Sequence, residues 1–154
     1  MLIQTHFFFA LALGYILKFP IKTTAVAGLL ADADTVFYWL GLPFPFVHRG
    51  LLHTPIILAV LLIAIYFATR RPDICAGFGA GFLSHLLIDT FNPTGIMWLY
   101  PIPTFFSMNL ATYSNLIANW GIVLWSAAFI LILNPRFITK LNPKSIGAGL
   151  RRIR

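Results

Sequence analysis

Long apolar stretches occupy most of this chain, and charged side chains are rare. Hydrophobic residues make up 59% of the 154 positions, charged residues make up 10%, and the mean hydropathy is +0.85. A soluble domain is about a quarter charged, because its surface faces water. A soluble core of this size could not bury so much apolar surface. The sequence therefore predicts a protein that is surrounded by lipid.

Five apolar stretches are separated by segments that contain proline, glycine or paired arginines. Each is about 16 to 18 residues long, slightly shorter than the roughly 20 residues that cross a bilayer squarely. They comprise residues 2–17, 23–40, 54–69, 74–91 and 116–133. We predict an all-α integral membrane helical bundle of about five transmembrane helices. Residues 1–135 would form this transmembrane domain, and residues 136–154 would form a basic cytoplasmic tail.

The basic side chains give the expected orientation. Of the 11 lysines and arginines, all but Arg49 fall on one side of the membrane when the five stretches alternate in direction. The positive-inside rule then predicts a multi-pass protein of the cell (inner) membrane with an outside N-terminus and a cytoplasmic C-terminus. Trp39, Trp98 and Trp120 fall near the predicted outer interface, where aromatic side chains are common. Orientation accounts for the net charge of +7, so no nucleic-acid partner is expected.

Ionisable side chains inside or beside the apolar stretches collect at one end. The chain has four histidines and four acidic residues, all of them aspartates. Only Asp73 lies in a plain surface turn. Alternation of the stretches brings the other seven to the predicted outer end, namely His6, Asp32, Asp34, His48, His53, His85 and Asp89. An ionised aspartate near the bilayer centre costs about 2.5–3.5 kcal/mol, so these residues need compensating partners.

The spacing of these residues suits a metal site. His85 and Asp89 are four apart, so both side chains project from one face of a helix. Asp32 and Asp34 are two apart and do not share a helix face, so the sequence predicts that the helix ends or breaks there. Irregular backbone at membrane depth is tolerated only where protein or a cavity surrounds it. The pattern therefore predicts an enclosed polar site.

Imidazoles and carboxylates are ligands of zinc, manganese and iron(II). The predicted metal ligands are His6, Asp32, Asp34, His53, His85 and Asp89. We predict a divalent metal, with zinc as the first choice and manganese or iron as alternatives. Either two metals share carboxylates, or one metal has an aspartate base and supporting residues. The predicted catalytic residues are Asp34 as base, with His48 and Arg49 handling the substrate, where Arg49 would clamp an anionic group such as a phosphate.

The composition excludes several other kinds of metal site. Two further functional hypotheses use the same histidines and aspartates. The chain has no glutamate, which excludes the HExxH zinc helix, and its single cysteine excludes a cysteine-based zinc cage. Transport of a metal ion or proton is one alternative, although we see no internal repeat. A non-catalytic structural protein is the other, with His85 bonded to Asp89 and an aspartate paired with Arg49. The joint placement of seven residues favours a metal-dependent hydrolase. A lipid or a phosphoester is the expected substrate, and the oligomeric state stays open.

Four ordered blocks resemble those of a known family over roughly residues 5 to 101. They read Thr-His-Phe at residues 5–7, Leu-Ala-Asp-Ala-Asp-Thr at 30–35, His-Arg-Gly-Leu-Leu-His-Thr at 48–54, and Gly-Phe-Leu-Ser-His at 81–85 with Asp89 and Asn-Pro-Thr-Gly at 92–95. The set is similar to the YdjM-like family of membrane-bound, metal-dependent hydrolases. The resemblance implies a hydrolase whose histidines and aspartates bind the metal. Ala31 stands in place of the family's proline and Thr35 in place of its histidine. If that histidine is a ligand, this chain has lost one, which argues against a second metal.

Overall fold

The computed structural model describes residues 1–43 and 48–133. Its helices are α1 (Ile3–Leu17), α2 (Ile21–Leu30), α3 (Thr35–Trp39), α4 (Pro55–Thr69), α5 (Pro72–Thr90) and α6 (Leu116–Leu133). Two 3₁₀ turns, Ala31–Asp34 and Leu51–His53, lie between α2 and α4. The described ranges contain no strand, only an isolated bridge between Ile96 and Phe106. The all-α prediction is confirmed, while the predicted basic tail at 136–154 lies outside the described residues.

The second apolar stretch is divided at its two aspartates, as their spacing predicted. α2 ends at Leu30, the 3₁₀ turn Ala31–Asp34 follows, and α3 adds five residues. Aspartate weakens a helix interior because its short carboxylate competes for nearby hydrogen-bond donors. The break turns both carboxylates towards the rest of the bundle. The apolar stretch over residues 23–40 is therefore not one continuous helix.

Helix α5 occupies the centre of the bundle. It packs against α1, α2 and α4, and α6 packs against α1. Only a few residues join α1 to α2 and α4 to α5, so the members of each pair run antiparallel. Buried alanines of α2 and the following turn meet large side chains of α5 in the core, which contains Ala27, Ala31, Phe78, Phe82 and Leu86.

Glycine allows α2 and α5 to approach closely. A Cβ atom at Gly81 would overlap the backbone carbonyl of Thr24, and one at Gly77 would lie 3.0 Å from the Thr24 hydroxyl. A Cβ at Gly28 would overlap the Ala10 side chain of α1. Gly77 and Gly81 of α5 therefore permit the close packing of the two helices. This contact determines where the end of α5 lies relative to α2, and both carry residues of the candidate site.

The helices differ in their capacity to cross a membrane. Among the described helices, α6 alone meets the combined length and hydropathy expected of a span, with 18 residues. α1 and α4 are apolar but have 15 residues each. α5 has 19 residues, and its apolar surface is interrupted by polar side chains near its end. The structure therefore supports the predicted apolar helices, but only one of them meets the criterion for a span by itself.

Candidate metal centre

The structure brings all seven predicted residues together at one end of the bundle. α1 supplies His6, the turn Ala31–Asp34 supplies two aspartates, and the turn Leu51–His53 supplies His53. The last two turns of α5 supply His85 and Asp89. Asp73 lies at the opposite end of α5, where it pairs with Arg71 at 2.6 Å. The clustering that alternating helices implied is therefore present.

Four side chains place one ligand atom each at the centre of this cluster. Asp32, His53, His85 and Asp89 have ligand atoms that all lie within 4.8 Å of one another. His53 Nε2 is 3.6 Å from Asp32 Oδ1 and 3.5 Å from Asp89 Oδ2. His85 Nε2 is 3.6 Å from each of the same two oxygens. The two Nε2 atoms are 3.1 Å apart. We call these four residues the four-ligand group.

The spacing of the four-ligand group fits one tetrahedral cation. Bonds of about 2.0–2.2 Å from zinc to nitrogen and oxygen place tetrahedral ligand atoms about 3.3–3.6 Å apart. The separations given above run from 3.1 to 3.6 Å. Asp32 is 19% exposed, and the other three side chains are at most 1% exposed. Imidazole nitrogens and carboxylate oxygens are ligands that zinc takes in proteins. The donor set therefore fits a divalent cation.

Hydrogen bonds at the outer ring nitrogens orient both histidines of the group. His85 Nδ1 lies 2.8 Å from the carbonyl oxygen of Gly28, and His53 Nδ1 lies 2.7 Å from Asp34 Oδ2. A carbonyl and an ionised carboxylate only accept, so each Nδ1 carries a hydrogen and donates it. In a neutral ring, the Nε2 lone pair then faces the centre of the group. Metal-binding histidines are typically held in this way.

Asp34 supports the four-ligand group and contributes no atom to it. Its Oδ2 accepts from His53 and from the backbone amide of Arg49 at 2.9 Å, and its Oδ1 lies 2.7 Å from His48 Nδ1. Asp34 is buried, whereas the His48 side chain is 39% exposed. These three side chains, Asp34, His48 and His53, form a second group within 4.8 Å. A cation there would have to replace the hydrogen that His53 donates to Asp34.

His6 lies beside the four-ligand group and is fully enclosed. Its ring stacks on the ring of His85 with a centroid distance of 3.8 Å. Its Nε2 is 3.3 Å from Asp89 Oδ1. Among the described residues, neither ring nitrogen of His6 has a partner that meets hydrogen-bond geometry. A buried polar atom without a partner is costly, so His6 has unused capacity to bind a ligand next to Asp89.

Arg49 closes the cluster from the loop that precedes α4. Its guanidinium lies 3.4 Å from Asp89 Oδ2 and donates to the hydroxyl of Thr94, and its side chain is 11% exposed. The amino group of Met1 donates to the other oxygen of Asp89 at 2.9 Å. The guanidinium is therefore already engaged by Asp89 and Thr94. Its predicted role as an anion clamp requires an anion to compete with these contacts.

Several contributors to the cluster were not predicted. The carbonyl of Gly28 holds His85, but a backbone oxygen leaves no signal in a side-chain pattern. The Thr94 hydroxyl reaches Arg49, and only its place in the Asn-Pro-Thr-Gly block that resembles the family could have indicated it. Asn119 joins α6 to α1, because its Oδ1 accepts from the Leu2 amide and the Thr5 hydroxyl at 2.9 Å each.

Comparison with known families identifies the chain. The family described as YdjM inner membrane protein matches residues 1–146, which include every residue of the cluster. Neither the curated proteins nor the solved structures contain a match to this chain. The family match confirms the resemblance seen in the ordered sequence blocks and supports a membrane location. It assigns no hydrolase activity. This chain belongs to the YdjM family of inner membrane proteins.

Proposed function

We propose that this protein is a membrane-embedded hydrolase that binds one divalent cation in the four-ligand group, with zinc as the first choice. The observation that carries the proposal is the convergence of Asp32, His53, His85 and Asp89 with both imidazoles oriented from behind. A bound divalent cation supplies Lewis acidity and lets water act as a nucleophile near neutral pH. The proposal places the reaction at the exposed edge of Asp32, since the other three side chains are enclosed.

The residues next to the four-ligand group hold its ligands in place and would contact the substrate. Asp34 keeps the His53 ring in place and anchors the backbone of Arg49. His48, oriented by the same carboxylate and partly exposed, lies where it can hydrogen-bond to a substrate oxygen. Arg49 carries a positive charge beside Asp89, which favours an anionic substrate group. A phosphoester or the head group of a lipid has the matching charge, and either is the proposed substrate class.

We further propose a multi-pass arrangement with the cluster on the outer side of the inner membrane. Lys18 and Lys22 flank the turn between α1 and α2, and Arg70 and Arg71 form the turn between α4 and α5. These four cations lie at the helix ends opposite to the cluster. The positive-inside rule would place them in the cytoplasm.

Activity of purified protein tests the proposed chemistry. The protein would be purified in detergent, loaded with zinc or manganese, and assayed on a fluorogenic phosphodiester and on phospholipids. We expect metal-dependent hydrolysis that falls by at least about 100-fold in His85→Ala, because loss of a ligand removes the cation. Asp73→Asn is the matched control, since Asp73 pairs with Arg71 at the opposite end of α5.

Two results would contradict the proposal. One is hydrolysis by folded His85→Ala that equals the wild-type rate. The other is a flux of metal ions or protons into proteoliposomes without hydrolysis. If Asp89→Asn abolished that flux, transport would be established instead. Circular dichroism and size-exclusion chromatography would verify that each variant retains its helices.

A further inference from the structure

The connection between α5 and α6 exposes an uncharged, apolar surface at the cluster end. Residues 91–115 contain no aspartate, glutamate, lysine, arginine or histidine. Exposure ranges from 43% to 68% for the large side chains of Leu99, Ile102, Phe105, Phe106, Met108 and Leu110. Soluble surfaces expose large apolar side chains singly, whereas a concentration of them marks an interaction site. The exposed residues between them, Thr104, Ser107 and Asn109, are polar but uncharged. We call residues 99–110 the interface loop.

The fold holds the interface loop in place. Ile96 and Phe106 exchange both backbone hydrogen bonds, at 3.1 and 2.9 Å, and Ile96 is fully buried. The amide of Met108 donates to the carbonyl of Thr90, and the amide of Leu110 donates to the carbonyl of Phe91, both at 2.8 Å. The exposed side chains therefore project from a backbone that these hydrogen bonds fasten to the end of α5.

The chain continues from the interface loop into an exposed apolar surface of α6. Leu116, Ile117 and Trp120 in the first turns of α6 are 60%, 88% and 50% exposed. α6 is the described helix with the length and hydropathy of a membrane span. No charged residue lies between the loop and this helix, so the two exposed apolar surfaces belong to one uncharged stretch of the chain, in which Ser114 and Asn115 are also exposed. Lipid is therefore the partner that fits both the interface loop and the exposed surface of α6.

The interface loop is also connected to the candidate metal centre. Gly95, directly before the bridge, adopts a φ of +62°, and its carbonyl lies 3.5 Å from the Arg49 guanidinium. Thr94 accepts a hydrogen bond from the same guanidinium, which in turn faces Asp89. We propose that the interface loop inserts into the head-group region of the bilayer and sets the opening of the cluster at the membrane surface. In combination with the proposed hydrolase function, the substrate is an amphiphile that arrives along the bilayer.

Spin-label accessibility tests where the interface loop lies. In a Cys75→Ala background, Phe105→Cys and Leu110→Cys would each carry a nitroxide in vesicles of phosphatidylcholine and phosphatidylglycerol. Leu124→Cys on α6, at a position 66% exposed, is the lipid control. Arg71→Cys in the turn before α5, where the side chain is 62% exposed, is the water control. Collisions with oxygen report lipid, and collisions with a neutral nickel chelate report water.

We expect the oxygen-to-nickel ratio at Phe105→Cys and Leu110→Cys to exceed that at Arg71→Cys several-fold and to approach that at Leu124→Cys. A ratio equal to that at Arg71→Cys would overturn the inference, since the loop would then lie in water. Shielding from both reagents would also overturn it, because a protein partner or a second copy would then cover the loop. Metal content would be measured on the same samples. Retained metal with a water-exposed loop contradicts this inference alone, whereas absent metal with a lipid-exposed loop contradicts the proposed function alone.

Discussion

At the scale of single residues, the carboxylate of Asp34 connects several parts of the cluster. One carboxylate holds two imidazoles, the enclosed ring of His53 and the partly exposed ring of His48, and also accepts from the Arg49 amide. It therefore connects the four-ligand group to the rim where a substrate would arrive. Carboxylates that hold metal-bound histidines typically contribute to metal affinity without touching the metal.

Replacing Asp34 should weaken metal binding without removing a ligand. In Asp34→Asn, one oxygen becomes an amide nitrogen, which cannot accept a hydrogen bond, so the three contacts cannot all persist. We expect metal affinity to fall by about 10–100-fold. Competition with a chromophoric chelator would measure this change. Asp73→Asn, which removes a carboxylate at the opposite end of α5, should leave the affinity unchanged.

His48→Ala distinguishes the two groups of ligand atoms. A cation in the four-ligand group should be retained with little change in affinity, because His48 gives no ligand atom to that group and contacts it through Asp34 and the edge of the His53 ring. A loss as large as that in Asp34→Asn would instead place the cation among Asp34, His48 and His53. That outcome would contradict our assignment of the ligands.

The residue-level pattern was only partly predictable from the sequence. The spacing of His85 and Asp89 predicted two ligands on one helix face, and both contribute to the four-ligand group. The role of Asp34 was not predictable. Its partners are 14 and 19 positions away, and no local periodicity reports which of several nearby carboxylates a histidine will bind.

At the scale of helices, the contact between α2 and α5 positions the cluster. Gly28 of α2 offers its carbonyl to His85 of α5, and this hydrogen bond depends on close approach of the two backbones. Gly81, one turn before His85, lies against the Thr24 carbonyl with no room for a side chain. The small residues of this contact therefore serve both packing and the orientation of a ligand.

Gly81→Ala should destabilise the bundle and weaken metal binding. Alanine favours a helix over glycine by about 1 kcal/mol, but overpacking of this kind costs about 1–3 kcal/mol and moves the helices apart. We expect a lower thermal unfolding temperature in detergent and reduced metal affinity. Gly79→Ala is the matched control in the same helix, since its new methyl group would only meet the Leu62 side chain at 3.6 Å. Equal unfolding temperatures for the two variants would contradict the proposed packing role.

Element boundaries followed the sequence where the apolar pattern was unbroken. α1, α4 and α6 begin and end within a residue or two of the predicted stretches. The aspartate pair predicted a break in the second stretch but not its shape, because a 3₁₀ turn depends on the contacts that receive the carboxylates. The paired backbone of residues 91–115 was also unpredicted. Its isolated bridge joins Ile96 to Phe106 across a segment whose prolines indicated only a loop.

At the scale of the whole molecule, the bundle is short for a membrane protein. A helix of 15 residues, as in α1 and α4, spans about 22 Å, whereas the hydrocarbon core measures about 30 Å. A bilayer accommodates short spans by thinning locally, and flanking side chains extend to the interface. Thinning would bring the head groups towards the cluster, consistent with an enclosed site that opens at the membrane surface.

Cysteine labelling in intact cells tests the orientation of the bundle. In the Cys75→Ala background, Thr112→Cys reports the cluster end and Lys22→Cys reports the cationic end. We expect a membrane-impermeant maleimide to label Thr112→Cys in intact cells and Lys22→Cys only after permeabilisation, because the positive-inside rule retains the cations in the cytoplasm. The reverse pattern would show that the cluster faces the cytoplasm.

Metal content tests the central claim most directly. Wild type, His85→Ala/Asp89→Asn and Asp73→Asn would be purified in detergent, and their bound metals would be quantified by inductively coupled plasma mass spectrometry. We predict about one equivalent of zinc, manganese or iron in wild type and in Asp73→Asn, and none in the double variant, because two of the four ligands are then missing. Wild-type protein that holds no metal even after reconstitution with each ion would contradict the account.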